Sequence, residues 1–239
     1  MDIGATTIKF CLIDSHGALL EVARRRPTPY PCTPDRLIAV VVERIVRSDC
    51  PRVGVGFPGE FADGTVVRPG NLSRPGGVTT DIDPDLEAQW RQFPLQDALR
   101  EATGRDVRVV NDATLAALGC CTGEGVELVL TLGTGVGLAM EREGVLERVR
   151  DVGKAQFREG HSYDELLGEH ARSRGPEQWL ALLELAVQGF AQEFGATTVH
   201  IAGGNARRIA PSAFTALPLP VLISGNEAPL HGAAKLFFD

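Results

Sequence analysis

The spacing of apolar and polar residues along the chain predicts both strands and helices. Short apolar runs, which are typical of buried strands, occur at residues 51–57, 106–111, 126–133 and 197–204. Apolar residues at helical spacing occur in residues 35–46, 93–104, 113–121, 176–195 and 228–238. Residues 58–84 are rich in Gly, Pro and Thr and predict an irregular stretch. The chain is therefore expected to be an α/β protein.

One supersecondary pattern occurs twice. Residues 2–26 predict a strand, a turn of small residues, a second strand, a tight turn and a third strand. Residues 126–149 repeat this order with a glycine-rich turn. Two similar hairpins in one chain predict two related α/β lobes. We expect an N-terminal lobe of residues 1–113, joined by a C-terminal helix of about residues 226–239, and a C-terminal lobe of residues 114–225.

Composition and charge argue against several classes of protein. The chain has 239 residues, 44% of them hydrophobic, which is enough for lobes with cores of their own. The net charge is −7, and Arg24–Pro27 is the single tight basic cluster, so we expect no nucleic-acid partner. There is no apolar run of about 18 residues and no signal-peptide pattern, so we expect a cytoplasmic protein without a membrane partner. The five cysteines form no CxxC pair, which predicts reduced thiols and no zinc site.

The two hairpin turns are candidate phosphate sites. Backbone N–H groups that converge in a turn make an anion-binding concavity, and glycine allows close approach of a phosphate. Thr6, Thr7 and Thr134 add hydroxyl donors, and Lys9 adds a cation. Asp2 could hold a magnesium ion through water. The alternative is a pair of plain β-turns. A third glycine turn, at Gly203 and Gly204, follows a predicted strand and favours the phosphate interpretation.

Asn111 and Asp112 lie where a predicted strand ends and a helix begins. Asp is a good helix N-cap, and that role alone could account for its position. The other interpretation is a general base at a strand end, which could take the proton from an attacking hydroxyl. The motif by itself leaves both interpretations open.

Five motifs in order resemble a known family. They are DIGATTIK, PGN, VVNDATLAALG, LTLGTGVGLAM and IAGGNARR. In this order they resemble the ROK family of sugar kinases within the actin-like ATPase superfamily, and they look most like its polyphosphate/ATP-glucokinase branch. The resemblance implies a two-lobed ribonuclease-H/actin-like fold with an inter-lobe cleft. It also implies a homodimer that transfers a phosphoryl group from ATP or polyphosphate, with Mg²⁺, to a hydroxyl of a sugar-like acceptor.

The resemblance also implies roles for individual residues. The first phosphate loop would comprise Asp2, Gly4, Thr6, Thr7 and Lys9, with Asp2 holding Mg²⁺ through water. The second phosphate loop would comprise Gly133, Thr134 and Gly135. Gly203, Gly204 and Asn205 would lie near the adenosine of ATP. Asp112 would be the general base, and Asn71 and Asn111 would hydrogen-bond other sugar hydroxyls.

One segment departs from the family pattern. Such kinases usually carry a stretch like E-L-G-H-x-E that holds the sugar, and the matching residues here are DVGKAQ. Asp151 stands for the first acid, Lys154 for the histidine and Gln156 for the second acid. Lys cannot accept a hydrogen bond whereas neutral His can, which argues against glucose as the acceptor. Lys154 either faces an anionic group of the acceptor or is a solvated surface residue.

Two other functions fit the same residues. The chain could be a sugar- or nucleotide-binding regulator derived from such a kinase, in which DVGKAQ no longer supports turnover. It could also be an ATP-hydrolysing activator of the same superfamily. Donor consumption distinguishes them, because a regulator binds ligand without consuming donor and an activator hydrolyses ATP without sugar.

Overall fold

The computed structural model of the chain describes residues 1–147, 149 and 151–238, and within them strands alternate with helices. The α/β prediction is confirmed. The chain divides into two units. Unit 1 comprises Met1–Leu115 together with the segment that starts at Leu230, and unit 2 comprises Ala116–Pro229. The predicted divisions, after residue 113 and at about residue 226, lie a few residues before these.

Unit 1 is built around a five-stranded sheet. The strands of this unit, including two outside the main sheet, are β1 (Asp2–Ile3), β2 (Thr7–Phe10), β3 (Arg24–Pro27), β4 (Arg52–Phe57), β5 (Glu60–Ala62), β6 (Thr65–Arg68) and β7 (Asp106–Asn111). The main sheet has the order β3-β2-β1-β4-β7, and β5 pairs with β6 in a separate ribbon. Strands β1, β2 and β3 are antiparallel neighbours, whereas β1, β4 and β7 run parallel. The carboxyl ends of β1, β4 and β7 therefore lie at the same edge of the sheet.

The helices of unit 1 follow local signals in the sequence. They are α1 (Pro34–Ile45), α2 (Pro84–Trp90), α3 (Leu95–Thr103) and α4 (Asp112–Cys120), the last of which continues into unit 2. Helix α1 begins after Thr33, whose hydroxyl accepts a hydrogen bond from Arg36 N–H, and it buries Leu37, Val41 and Ile45. Helix α3 ends at Gly104, which adopts the left-handed conformation that glycine tolerates best.

Unit 2 repeats the sheet of unit 1. Its strands are β8 (Val126–Leu132), β9 (Val136–Arg142), β10 (Val145–Glu147), β11 (Gln156–Arg158), β12 (His161–Ser162), β13 (Thr198–Ala202) and β14 (Val221–Gly225). The main sheet has the order β10-β9-β8-β13-β14, with three antiparallel strands followed by two parallel additions. The main sheet of unit 2 therefore has the same strand order and directions as the main sheet of unit 1, as the repeated hairpin predicted.

The helices of unit 2 cover this second sheet. They are α5 (Tyr163–Leu167), α6 (Glu169–Arg174), α7 (Pro176–Phe194) and α8 (Ala228–Gly232), which ends in unit 1. Helix α7 buries Trp179, Leu183, Val187 and Phe190 at helical spacing, and the Trp179 indole N–H donates to the Leu167 carbonyl at 2.8 Å. No helix in the described part of the chain combines the length and apolar character needed to cross a membrane.

Three segments differ from the sequence predictions. Residues 58–84 are less irregular than predicted, because they contain the β5–β6 ribbon and two short 3₁₀ turns. The C-terminal stretch is not one helix over residues 226–239, because α8 ends at Gly232 and a 3₁₀ turn follows at Ala234–Leu236. The third strand of the first hairpin is short, since only Arg24–Pro27 pairs with β2.

Candidate active site

Two carboxylates lie at the edge where the parallel strands of unit 1 end. Asp2 on β1 pairs in register with Gly56 on β4, and Phe57 at the end of β4 pairs with Asn111, the last residue of β7. Asp112 follows directly. A Cβ added at Gly56 would lie 3.3 Å from Asp112 Cα and 3.5 Å from Asp2 Oδ1. The absence of a side chain at Gly56 is therefore what lets the two acidic residues approach each other.

These two carboxylates have different electrostatic environments. Asp2 is buried, and its Oδ2 accepts a hydrogen bond from Lys9 Nζ at 2.7 Å across the β1–β2 hairpin. Burial and the nearby charge of Asp2 raise the pKa of Asp112 to about 7, although the Ala113 N–H and Lys9 act in the opposite direction. A carboxyl group with a pKa near neutrality can both accept and release a proton at physiological pH.

Asn111 carries much of the N-cap of helix α4. Its Oδ1 accepts hydrogen bonds from Ala113 N–H at 2.9 Å and Thr114 N–H at 3.3 Å. Asp112 Oδ1 also accepts from Ala113 N–H, at 2.8 Å. The cap therefore does not depend on Asp112 alone. Asn111 Nδ2 donates to the Gly59 carbonyl at 2.8 Å, which leaves one amide hydrogen of this side chain for a ligand.

The PGN loop is held against the end of β4. Gly70 has a φ of 55°, and a Cβ added there would lie 2.8 Å from the Pro58 carbonyl oxygen. A Cβ at Gly59 would collide with the Arg68 carbonyl oxygen. These contacts place the half-buried Asn71 directly after a glycine that packs on the Pro58–Gly59 backbone. Asn111 contacts the same Gly59, so the structure brings the loops of Asn71 and Asn111 to one glycine.

The first predicted phosphate loop is a tight turn. Gly4 N–H donates to the Thr7 carbonyl at 3.0 Å, and a Cβ at Gly4 would lie 3.0 Å from that oxygen. Residues after β3 hold the turn from one side, because Thr28 Oγ1 donates to the Gly4 carbonyl at 2.7 Å and Tyr30 Oη donates to the Ala5 carbonyl at 2.5 Å. Thr6 is exposed at the tip of the turn.

The second predicted phosphate loop connects β8 to β9 in unit 2. Gly133 N–H donates to the Gly135 carbonyl at 3.0 Å, so the turn is tight. A Cβ at Gly135 would lie 2.5 Å from Asp164 Oδ1, and the same oxygen accepts a hydrogen bond from Val136 N–H at 2.8 Å. A Cβ at Gly168 would collide with the Thr134 carbonyl oxygen. In contrast, nothing lies within 4 Å of a Cβ at Gly133.

The third glycine turn lies beside the second. Asn205 Nδ2 donates to the Gly133 carbonyl at 3.1 Å, and Asn205 N–H donates to the Leu132 carbonyl at 3.0 Å. Gly203 has a φ of 93°, and a Cβ there would collide with the Leu132 carbonyl oxygen. Nothing lies within 4 Å of a Cβ at Gly204. The structure therefore brings Asn205 into direct contact with Gly133 and packs Gly203 against the preceding residue, Leu132.

Two residues of the DVGKAQ segment, Gly153 and Lys154, contact Asp164, a residue that the sequence analysis gave no role. Lys154 Nζ lies 2.7 Å from Asp164 Oδ2, and a Cβ at Gly153 would lie 2.5 Å from Asp164 Oδ1. Asp151 is exposed and caps its own turn by accepting a hydrogen bond from Gly153 N–H at 3.1 Å. Gln156 is exposed on the β11–β12 ribbon. The sequence did contain a signal for Asp164. It lies in the first turn of α5, between Ser162 and Glu165, which form the capping box of this helix.

Comparisons with known proteins agree with this architecture. The model of the ROK family matches residues 1–148. A glucokinase of Halalkalibacterium halodurans is 30% identical over an alignment of 152 positions, and the match covers 57% of this chain and 41% of that protein. The chain spans less than half the length of the curated relatives it matches.

Solved structures match over nearly the whole chain. The inorganic polyphosphate/ATP-glucomannokinase of Arthrobacter sp. is 28% identical with a TM-score of 0.81, and the match covers 98% of this chain and 95% of that one. A ROK family glucokinase of Streptomyces griseus, solved with glucose and AMPPNP, is 19% identical with a TM-score of 0.76. This match covers 98% of the present chain and 97% of that one. This second likeness concerns the fold alone. The matches confirm the predicted ribonuclease-H/actin-like fold.

Proposed function

The chain belongs to the ROK family, and from this premise we propose that it is a carbohydrate kinase. It transfers the terminal phosphoryl group of ATP to a hydroxyl group of a sugar. The observation that carries this proposal is the pair Asp2 and Asp112 at the ends of parallel strands, where the pKa of Asp112 is raised to about 7. Polyphosphate as the alternative donor and the homodimer stay predictions of the resemblance, and the cytoplasmic location stays a prediction from composition.

Asp112 acts as the general base in this proposal. Its carboxylate accepts the proton of the attacking sugar hydroxyl as that oxygen bonds to the phosphorus, and the leaving oxygen stays on the donor. Phosphoryl transfer demands mainly positioning and charge stabilisation, and a positioned base contributes about 10²–10⁴-fold. Asn111 orients a neighbouring hydroxyl with its remaining amide hydrogen, and Asn71 contributes from the adjoining loop.

Asp2 is the residue that would hold Mg²⁺. The donor set fits this ion, because Asp2 presents a buried carboxylate whose neighbour across Gly56 is a second carboxyl group, and Mg²⁺ prefers oxygen ligands and retains several waters. When bound, the ion neutralises charge on the donor phosphates. Lys9, held at Asp2, adds a fixed positive charge beside the first turn.

The glycine turns of unit 2 are suited to the donor. Gly133, Thr134 and Gly135 would wrap phosphate with backbone N–H groups and one hydroxyl, and the open space above Gly133 supports this role. Gly203, Gly204 and Asn205 would adjoin the adenosine. Asn205 supports the turn directly through its bond to the Gly133 carbonyl.

We propose a neutral hexose as the acceptor, and Lys154 in place of the family histidine still argues against glucose among these sugars. The Lys154 side chain is 59% exposed and its ammonium group pairs with Asp164, which favours a surface residue over one that selects an anionic sugar. The curated and structural relatives are named as a glucokinase and a glucomannokinase, which both act on neutral hexoses by those names. Asp151 and Gln156, which are both exposed, would contact the acceptor from the exposed side of this segment.

The test is donor consumption with Mg²⁺, using ATP and polyphosphate separately, over a panel of neutral, amino and acidic sugars. We expect consumption that depends on a neutral hexose and falls about 10²–10⁴-fold in Asp112→Asn. Asp97→Asn, which changes an exposed carboxylate on α3, is the control and should keep wild-type activity. Sugar binding without donor consumption would favour the regulator, and ATP hydrolysis independent of sugar would favour the activator.

A further inference from the structure

A cluster of metal-binding side chains lies inside unit 2, apart from the residues discussed above. Cys121, directly after α4, faces Glu127 on β8 and His200 on β13. All three are buried, with 5%, 2% and 2% of their surface exposed. Glu127 pairs with Thr198, and His200 pairs with Val129, so both side chains lie on the same face of two parallel neighbouring strands. The fold, rather than local sequence, brings the three together.

The distances within the cluster are close to those of a metal site. One ligand atom from each residue lies within 4.8 Å of the other two, and His200 Nε2 lies 2.9 Å from Glu127 Oε1. In a tetrahedral zinc site, bonds of about 2.0–2.3 Å place the ligand atoms roughly 3.3–3.8 Å apart. Small side-chain rotations therefore convert the observed spacing into a ligand set.

The outer polar atoms of Glu127 and His200, which do not face the centre of the cluster, already have hydrogen-bond partners. Glu127 Oε2 accepts hydrogen bonds from Thr122 N–H at 2.7 Å and Gly123 N–H at 2.8 Å, which leaves Oε1 directed at the histidine. His200 Nδ1 lies 3.2 Å from Ser224 Oγ. Metal-binding histidines are usually oriented by such a partner on the second ring nitrogen. The outer contacts thus present Oε1 and Nε2 toward the thiol of Cys121.

We propose that Cys121, Glu127 and His200 bind a zinc ion that stabilises unit 2. Thiolate, imidazole and carboxylate are the ligands that Zn²⁺ accepts in proteins. Their burial indicates a structural rather than a catalytic zinc site, because a substrate cannot reach the metal from solvent. A water molecule would supply the fourth ligand, because the thiol of the neighbouring Cys120 donates to the Ala116 carbonyl at 3.1 Å. This proposal is independent of the kinase function.

Binding changes the protonation of the cluster in a defined way. Without metal, His200 Nε2–H donates to Glu127 Oε1. With zinc, the Cys121 thiol gives its proton to solvent, and the His200 proton moves through solvent from Nε2 to Nδ1, so that Nε2 binds the metal and Nδ1–H donates to Ser224 Oγ. Metal uptake therefore releases protons and is weaker at low pH. Zinc binding therefore forms only metal–ligand bonds and changes only S–H and N–H bonds.

The sequence analysis predicted no zinc site because no CxxC pair occurs. That criterion covers ligands that are close in sequence, whereas Glu127 and His200 lie 73 positions apart. The proposal thus reverses the expectation for zinc on the basis of the fold.

The test uses the full-length protein with any affinity tag removed. Metal content is measured after expression with zinc, and the stripped protein is then titrated with Co²⁺. We expect one zinc per chain, and a thiolate-to-cobalt charge-transfer band with tetrahedral d–d bands. Cys121→Ser should lose the charge-transfer band or reduce it at least severalfold. Cys50→Ser, which changes a thiol in unit 1 that donates to the Arg52 carbonyl, is the matched control and should keep it.

A thermal melt of the wild-type protein provides a readout that needs no variant. Zinc at about 100 times its dissociation constant should raise the Tm by roughly 5–10 °C, and the rise should be absent in Cys121→Ser. The proposal is overturned if wild-type protein takes up neither zinc nor Co²⁺ with a thiolate band. It is equally overturned if the band keeps its wild-type intensity in Cys121→Ser. The cluster would then be a hydrogen-bonded core pair of Glu127 and His200 with an adjacent thiol.

Discussion

At the scale of single residues, Gly56 controls the separation of Asp2 and Asp112. In Gly56→Ala the new Cβ would lie 3.0 Å from Leu115 Cδ2 and 3.3 Å from Asp112 Cα, so the backbone that carries the proposed base must shift. We expect a loss of about 1–3 kcal/mol in the free energy of unfolding and a fall in kcat of about tenfold or more. Urea unfolding and steady-state kinetics measure both.

The matched control for this substitution is Gly189→Ala on the exposed face of α7, where nothing lies within 4 Å of the added Cβ. It should leave kcat unchanged. Wild-type stability and kcat in Gly56→Ala would contradict the interpretation that this glycine sets the carboxylate spacing.

The β8–β9 turn offers two glycines with opposite surroundings. In Gly135→Ala the Cβ meets Asp164 Oδ1, which also accepts from Val136 N–H, so we expect the turn to shift and stability to fall by about 1–3 kcal/mol. In Gly133→Ala the Cβ enters open space, so stability should stay within about 0.5 kcal/mol of wild type. If the turn binds phosphate, Gly133→Ala should nevertheless raise the KM for the donor.

Thermal melts and donor titrations of the two turn variants measure these effects. Equal stability of the pair would argue against the Asp164 contact. An unchanged donor KM in a stable Gly133→Ala protein would argue against the phosphate role of this turn and leave the fold argument intact.

The raised pKa of Asp112 predicts a pH dependence of stability. The folded protein keeps the Asp112 proton up to about pH 7, whereas the unfolded chain releases it near pH 4. The folded state therefore binds more protons between these values, and this residue lowers the free energy of unfolding as pH rises through that window.

Asp112→Asn cannot ionise, so it should lose less stability than the wild type between pH 4 and 7, by about 1–2 kcal/mol after allowance for solvent screening. Urea unfolding across this range gives the comparison. Parallel pH profiles for the two proteins would contradict the raised pKa.

At the scale of elements, helix α7 contains one glycine inside the helix and one at its end. Gly189 is exposed within the helix, and Gly189→Ala should raise the free energy of unfolding by up to about 1 kcal/mol, because alanine has the higher helix propensity. Gly195 ends the helix with a φ of 66°, and Gly195→Ala should lower it by roughly 1 kcal/mol, because a side chain disfavours this conformation.

Neither added Cβ of this pair meets another atom within 4 Å, so the comparison isolates backbone conformation from packing. Thermal melts of both variants measure it. Shifts of the same sign would show that the helix boundary differs from the one described.

At the scale of the whole molecule, the last residues of the chain complete unit 1. Leu230 is 1% exposed, and His231 Nδ1 lies 2.8 Å from the Gly17 carbonyl oxygen. Arg108 lies over the ring of Phe237 at 4.8 Å and donates to the Leu236 carbonyl. The N-terminal unit is therefore discontinuous in sequence, and its stability depends on residues at both ends of the chain.

Leu230→Ala should lower the free energy of unfolding by about 2–5 kcal/mol, because a fully buried leucine is truncated. Phe238→Ala, at a side chain that is 38% exposed, is the control and should cost less. Urea unfolding compares the two. A larger loss in the control would show that Leu230 is not part of the core of unit 1.

The amino-acid sequence alone was enough to predict the α/β character, the repeated hairpin and most element positions, because apolar periodicity and turn residues act locally. It also indicated the glycine turns and the strand end at Asp112. Only the tertiary structure decided that Asp164 holds the second turn, that Asn111 shares the helix cap, and that Cys121, Glu127 and His200 converge. These contacts depend on which strands become neighbours and in what register, and such long-range pairing leaves no periodic trace along the chain.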